Sequence, residues 1–96
     1  MREKEIEHAL VTEAKRHGGL APKFVSPGTD GMPDRIILLP DGHMGFVEVK
    51  APGQRPRPLQ TAQHRLLRRL GYRVYVLDNA EDIGMIIKAI KGGEAE

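Results

Sequence analysis

The sequence contains no cysteine, and none of its apolar runs approaches the length of a membrane span. Without cysteine the chain has no disulfide framework and no zinc site built on thiolates. A transmembrane helix needs roughly 20 apolar residues, so a protein that spans a membrane by a helix is excluded as well. The first five residues, Met1 to Glu5, are mostly charged and lack the apolar core of a signal peptide, from which we expect a cytoplasmic protein.

The chain is also short. Its 96 residues suit one small domain, and we expect a single unit over residues 1–96 with a frayed tail at 92–96. A domain of this size buries only about 60–65% of the surface of its unfolded chain and is marginally stable alone. Association with a second copy would therefore add stability.

The net charge is only +2, but the cations are concentrated in one part of the chain. No acidic residue lies between Lys50 and Leu77. The cationic side chains of this segment are Lys50, Arg55, Arg57, Arg65, Arg68, Arg69 and Arg73. A basic segment in a balanced protein is typical of proteins that bind the phosphate backbone of nucleic acids. The alternative is a solvated helix face.

A hairpin is predicted around the sequence Pro40-Asp41-Gly42. The preceding run, 34–39, is apolar and β-branched after a charged start, and the following run, 43–50, ends in strict alternation of apolar and polar residues. Three residues can form the loop as a type I turn followed by a residue in the left-handed region, where glycine fits.

The length of that loop fixes which residues face each other. A three-residue loop sets Leu39 opposite His43 and, counting back, Asp34 opposite Glu48. Opposed residues point to the same face, and alternation adds Lys50 to it. A two-residue turn would shift the register by one position and put the two carboxylates on opposite faces.

Opposed carboxylates repel, so this arrangement calls for a compensating charge. A divalent cation such as Mg²⁺ is typically held by one or two protein carboxylates, with water and phosphate completing its shell. Lys50 would then stabilise negative charge beside it. The alternative is that Asp34 caps a strand while Glu48 and Lys50 lie on a solvated face.

The motifs Gly31-Met-Pro-Asp34, Phe46-Val-Glu-Val-Lys50 and Leu59-Gln60 together resemble the VRR-NUC domain of the PD-(D/E)xK nucleases. The resemblance extends from the first helix to about Val76 and is to the stand-alone type of phages and bacteria. It implies a restriction-endonuclease-like core and a cytoplasmic location in the phage's bacterial host. It also implies a divalent-metal-dependent DNA endonuclease acting on branched DNA, such as four-way (Holliday) junctions, as a homodimer.

The resemblance implies roles for particular residues. Asp34 and Glu48 bind one or two Mg²⁺ or Mn²⁺ ions, with the Val49 carbonyl as an extra ligand, and Lys50 is catalytic. Gln60 belongs to the same site and would bond the attacking water, Lys50 or a phosphate; the alternative is a surface amide.

A glutamate of the first helix also belongs to the family's active site. Glu7, on the shoulder of the apolar stripe, is the match and would also contact the metal. Glu3 and Glu13 compete for this assignment, and an ordinary surface glutamate is the alternative.

The predicted element order is αβββαβα, a mixed sheet flanked by helices. A helix is predicted over 2–17, a short strand over 23–26, the hairpin, a helix over 59–70, a strand over 72–77 and a helix ending near 91. In the second helix Leu59, Ala62, Leu66 and Leu70 form the apolar stripe, with Leu67 widening it. The DNA-binding candidates are Arg55, Arg57, Arg65, Arg68 and Arg69.

The four histidines, His8, His17, His43 and His64, show no ligand spacing, so we expect none of them to bind metal. Two other functions stay open. A non-catalytic DNA-binding module would explain the basic segment but would not explain the converging acidic residues. A flap or restriction-type nuclease would use the same acids on other DNA structures.

Overall fold

The computed structural model describes residues 1–92. Its elements are α1 (Glu3–Arg16), β1 (Arg35–Leu38), β2 (Met44–Val49), α2 (Pro58–Arg69), β3 (Val74–Leu77) and α3 (Ile83–Gly92), with 3₁₀ turns at Pro40–Gly42 and Ala80–Asp82. No helix in this part of the chain is long and apolar enough to cross a bilayer. The tail predicted to fray lies, from residue 93 on, outside the described residues.

The β1–β2 hairpin has the predicted register. Arg35 pairs with Val47 and Leu38 with Met44, in antiparallel orientation. The Leu39 N–H donates to the His43 carbonyl at 2.8 Å, which closes the three-residue loop. The loop conformation differs from the predicted type I turn, because Asp41 as well as Gly42 has a positive φ, 67° and 77°. Aspartate tolerates the left-handed region, so the loop length and the register are preserved.

Strand β2 is the centre of a mixed three-stranded sheet in the order β1-β2-β3. β3 pairs with β2 in parallel, and α2 forms the crossover between them. Side chains alternate between the two faces, so each face builds its own core. On one face Val47 and Ile37 pack among the buried residues of α1 and α3. On the other, Phe46 packs with Leu67 of α2. The architecture is the mixed, helix-flanked sheet predicted from the sequence.

The short strand predicted over 23–26 does not form. The segment instead makes two isolated antiparallel bridges to β1, at Leu20–Leu38 and Lys23–Arg35. Pro22 lies between these bridges and has no N–H to donate, so a continuous ladder is not possible there. The observed order is therefore α β β α β α, with this segment lying along the edge of β1.

Helix α2 is rotated relative to the prediction. Its buried residues are Gln60, His64 and Leu67. The apolar stripe expected in the core is largely exposed, with Leu66 at 41% and Leu70 at 64%. At about 100° per residue the stripe of Leu59, Ala62, Leu66 and Leu70 is centred about a third of a turn away from the buried face. The polar pair Gln60 and His64 therefore faces the sheet.

Candidate active site

The open end of the hairpin carries the candidate site. Asp34 immediately precedes β1, and the register of the strands places it opposite Glu48. Pro33 is fully buried, and Gly31 has φ +86°. A Cβ at Gly31 would come within 3.0 Å of Leu59 on α2, so only glycine allows this loop to approach the helix. The glycine of the Gly-x-Pro-Asp motif thus brings Asp34 and the start of α2 together.

Glu48 is buried to 1% exposure on the sheet face that packs against α2. Its Oε2 accepts a hydrogen bond from Nε2 of Gln60 at 2.9 Å and lies 3.2 Å from Nζ of Lys50. Its Oε1 is buried without a hydrogen-bond partner within residues 1–92. Burial first, and the nearby charge of Asp34 second, raise the pKa of the Glu48 carboxyl above its ordinary value.

Asp34 is fixed by the backbone of the opposite strand. The N–H of Val49 donates to its Oδ2 at 3.0 Å. A carboxylate that accepts a backbone N–H is restrained in position. This bond also places the backbone of Val49 beside Asp34. Asp34, Glu48 and Lys50 therefore converge, as the three-residue loop predicted.

Gln60 links α2 to this group through both ends of its amide. Its Oε1 accepts the N–H of Arg57 at 2.8 Å, which satisfies a free donor at the start of the helix, and its Nε2 donates to Glu48. From the sequence we expected Gln60 to bond water, Lys50 or a phosphate. Within residues 1–92 the acceptor of its Nε2 is Glu48 and not Lys50.

Glu7 does not contact the hairpin acids directly. Its Oε2 accepts from Nε of Arg35 at 2.9 Å and lies 2.8 Å from the second terminal nitrogen of the same guanidinium. Arg35 also donates to the carbonyl of Ala21. Glu7 and Glu3 nevertheless line, together with Asp34, a cleft of about 250 Å³. Glu13 instead pairs within its own helix, with Arg16 and His17.

The candidate DNA-binding arginines are all on the surface. Arg55, Arg57, Arg65 and Arg69 are exposed. Arg68 is also exposed but donates from its guanidinium to the Val74 carbonyl at 2.8 Å, so it joins α2 to β3. The first four are available to meet phosphates.

His64, expected from the sequence to be an ordinary histidine, is a buried residue of this region. It is 2% exposed and follows Gln60 by one helical turn. Burial lowers the pKa of its imidazole most, and the positive charge of Arg68 lowers it further. The negative charge of Asp34 raises this pKa, and the positive charge of Lys50 lowers it. In the sequence, His64 could have been linked to the site only by its position four residues after Gln60, which puts the two on one helix face. That spacing becomes informative only once the buried face of α2 is known.

The donor set fits a hard divalent cation with an incomplete protein shell. Within residues 1–92 no three Asp, Glu, His or Cys side chains come together as a complete ligand group. Asp34 and Glu48 supply two carboxylates, and Oε1 of Glu48 is a buried oxygen without a hydrogen-bond partner in residues 1–92, which a bound cation would satisfy. Mg²⁺ is usually bound by one or two carboxylates plus water and substrate phosphate.

A mixed α/β sheet whose hairpin brings together Pro-Asp and Glu-x-Lys defines a nuclease domain of the PD-(D/E)xK type. The profile of the VRR-NUC domain matches residues 2–81, and the chain belongs to this family. A solved structure described as "VRR_NUC domain" superimposes with a TM-score of 0.83 at 29% identity, covering 90% of this chain and 94% of that one.

A protein of Acyrthosiphon pisum secondary endosymbiont phage 1, described as "Putative nuclease p44", is 49% identical over 90 residues. The match covers 94% of this chain and 96% of the phage protein. The family and the fold that the sequence motifs indicated are therefore confirmed.

Proposed function

We propose that this chain is a divalent-metal-dependent endodeoxyribonuclease that hydrolyses phosphodiester bonds, with Mg²⁺ or Mn²⁺ as cofactor. The observation that supports the proposal best is the buried Glu48, whose Oε1 has no partner in residues 1–92 while Asp34 lies opposite and Lys50 alongside. A buried carboxylate with an unsatisfied oxygen is costly and is retained where an ion or ligand completes it.

Asp34 and Glu48 would hold the cation, with the carbonyl of Val49 as a further ligand. Such an ion lowers the pKa of bound water and neutralises charge on the reacting phosphate. The Nζ of Lys50 lies 3.2 Å from Glu48, and its ammonium would stabilise the negative charge that develops on the phosphate. Gln60 holds Oε2 of the Glu48 carboxylate through its hydrogen bond and would leave Oε1 available to the ion.

Glu7 would complete the site from the side of α1. The cleft that it lines with Asp34 supports this role, and its pairing with Arg35 holds its carboxylate in place. A carboxylate that pairs with Arg35 and shares only a cleft with Asp34 would act on the ion through water, in the outer shell.

The substrate we propose is branched DNA, such as a four-way junction, cut by a homodimer in the bacterial cytoplasm. Two symmetric nicks require two sites, which a two-fold dimer supplies. The exposed arginines Arg55, Arg57, Arg65 and Arg69 would follow the phosphate backbone on both arms.

The exposed stripe of α2 is the surface we propose for the dimer contact. The apolar residues of α3 are not available for this contact, because Ile83, Ile86, Ile87 and Ile90 are buried in the core of the same chain. Leu66 and Leu70 are exposed apolar residues on one helix face, and a second copy of α2 would cover them.

The test is a cleavage assay with wild type and Lys50→Ala. Labelled linear, flap and four-way DNA are incubated with each protein, with and without Mg²⁺ or Mn²⁺, and the cuts are mapped. We expect wild type to cut the junction in pairs only with metal, and Lys50→Ala to bind DNA without cutting. Binding without cutting by wild type would favour the non-catalytic module, and cutting of flap or linear DNA in preference would favour a flap or restriction-type nuclease.

A further inference from the structure

Two buried side-chain atoms have no hydrogen-bond partner within residues 1–92, and both belong to the candidate site. They are Oε1 of Glu48 and Nε2 of His64. Buried polar atoms without partners are rare in native proteins because each costs free energy. Gln60, which donates to Glu48, and His64 lie one turn apart on the buried face of α2, so both unpartnered atoms belong to the side of the sheet that faces this helix. One hydrated ion bound on this side of the sheet could satisfy both atoms.

The protonation state of His64 decides which hydrogen bond its ring can make to a bound ion or water molecule. Burial lowers the pKa of the imidazole, so near neutral pH the ring is uncharged and carries one donor and one acceptor nitrogen. A neutral nitrogen cannot balance the charge of Glu48. It can accept a hydrogen bond from a water molecule, whose oxygen in turn can coordinate a cation.

We propose that Nε2 of His64 accepts a hydrogen bond from a water molecule in the hydration shell of the cation that Asp34 and Glu48 hold, which makes His64 a positioning residue for that ion. The inference rests on the proposed function. Mg²⁺ keeps several waters when it is bound by only two carboxylates, and those waters need acceptors. Gln60 and His64, one turn apart on α2, then orient the carboxylate and the hydrated ion from the same helix.

A purely structural histidine would behave differently on substitution. If Nε2 binds no water molecule, His64→Leu only removes a buried polar atom without a partner and leaves the Mg²⁺ affinity unchanged. If Nε2 holds a water of the ion, the same variant weakens Mg²⁺ binding although the metal-free protein is as stable or more stable. Outer-shell partners of metals typically contribute roughly 10–100-fold in affinity.

The experiment measures Mg²⁺ binding by calorimetry, without DNA, for wild type, His64→Leu and His64→Gln, together with the Tm of each metal-free protein. His43→Leu is the control, because His43 lies between the hairpin loop and the start of β2, at the end of the strand away from Glu48. We expect His64→Leu to weaken binding roughly 10–100-fold with a Tm equal to or above that of wild type. His64→Gln keeps a polar side chain and should recover much of the affinity, and His43→Leu should match wild type.

Nitrogen NMR of the histidine rings gives a second measurement that does not depend on a variant folding. On addition of Mg²⁺ the ring nitrogens of His64 should shift, whereas those of His43 should not. Wild-type affinity in folded His64→Leu, or an unchanged His64 ring, overturns the inference. A wild type that binds Mg²⁺ with these effects but cuts no DNA refutes the proposed function and leaves the inference standing.

Discussion

Gln60 of α2 donates a hydrogen bond of 2.9 Å to the buried carboxylate of Glu48 in the central strand. The other end of the same amide accepts the N–H of Arg57 at the start of the helix. One side chain therefore ties the helix terminus to the carboxylate proposed to hold the metal. Its orientation is restrained at both ends, so Glu48 presents a defined oxygen.

We predict that Gln60→Ala lowers metal-dependent cleavage by roughly 10–100-fold, because Glu48 loses the donor that orients it. Steady-state cleavage of labelled DNA at several Mg²⁺ concentrations would show the loss as weaker metal dependence. Gln63→Ala is the matched control on the same helix, since Gln63 donates only to the Asp30 carbonyl at the surface. Equal activity of the Gln60 and Gln63 variants would contradict this role.

The pH dependence of stability should depend on Glu48. Its pKa is raised in the folded protein, so the native state binds the proton more tightly than the unfolded state. The stability of the metal-free protein should therefore fall as pH rises from the ordinary glutamate pKa through the raised one. Tm measured from pH 4 to pH 8 should show this extra fall in wild type relative to Glu48→Gln.

Mg²⁺ should reverse that trend, because the cation binds the deprotonated carboxylate. The rise in Tm on adding Mg²⁺ should be small at low pH and grow as the proton leaves. Parallel pH curves for wild type and Glu48→Gln, with and without Mg²⁺, would count against a raised pKa of Glu48.

Glu7 can be compared with another glutamate of the same helix. We predict that Glu7→Gln reduces cleavage by at least roughly tenfold, because it removes a charge from the cleft beside Asp34. Glu13→Gln should leave cleavage within about twofold, since Glu13 pairs only with Arg16 and His17. Glu7→Gln also removes the ion pair with Arg35. The Tm of both variants shows whether that loss destabilises the fold, and so separates an effect on stability from an effect on cleavage. Full activity in a folded Glu7→Gln protein would restrict Glu7 to a structural role.

The basic loop should contribute to DNA affinity through phosphate contacts. Replacing Arg55 and Arg57 by alanine should weaken binding similarly for all sequences and reduce the slope of log affinity against log salt by about 2. Binding would be measured with a metal-free, fluorescently labelled junction over a range of salt concentrations. Lys88→Ala, an exposed cation on α3, is the control. An unchanged salt slope in the double variant would show that this loop makes no phosphate contacts.

The α2 stripe gives a prediction for assembly. Leu66→Glu combined with Leu70→Glu should convert a dimer into a monomer, because charges replace the apolar contact. Light scattering after size exclusion at micromolar concentration measures the mass, and the cut pattern should change from paired cuts to single nicks. Met85→Glu, at a residue 65% exposed on α3, should stay dimeric. A monomeric wild type that still cuts junctions in pairs would refute the dimer.

The helix α2 shows why part of the site could not be predicted. Its apolar residues suggested that Leu66 and Leu70 face the core, but the helix turns Gln60 and His64 toward the sheet instead. The close approach at Gly31 and the bond from Gln60 to Glu48 fix this rotation. These contacts join residues far apart in sequence, so the periodicity of one helix cannot report them. The partner of Glu7, Arg35, was missed for the same reason.

The sequence by itself determined the hairpin and, with the three-residue loop in place of a two-residue turn, its register and therefore the convergence of Asp34, Glu48 and Lys50. These follow from a three-residue loop and the alternation of a strand, which act between neighbours along the chain. Only the tertiary structure decided which face of α2 is buried, and hence that Gln60 bonds Glu48 and that His64 lies inside. Helix rotation depends on packing between distant segments, and a local pattern does not contain that information.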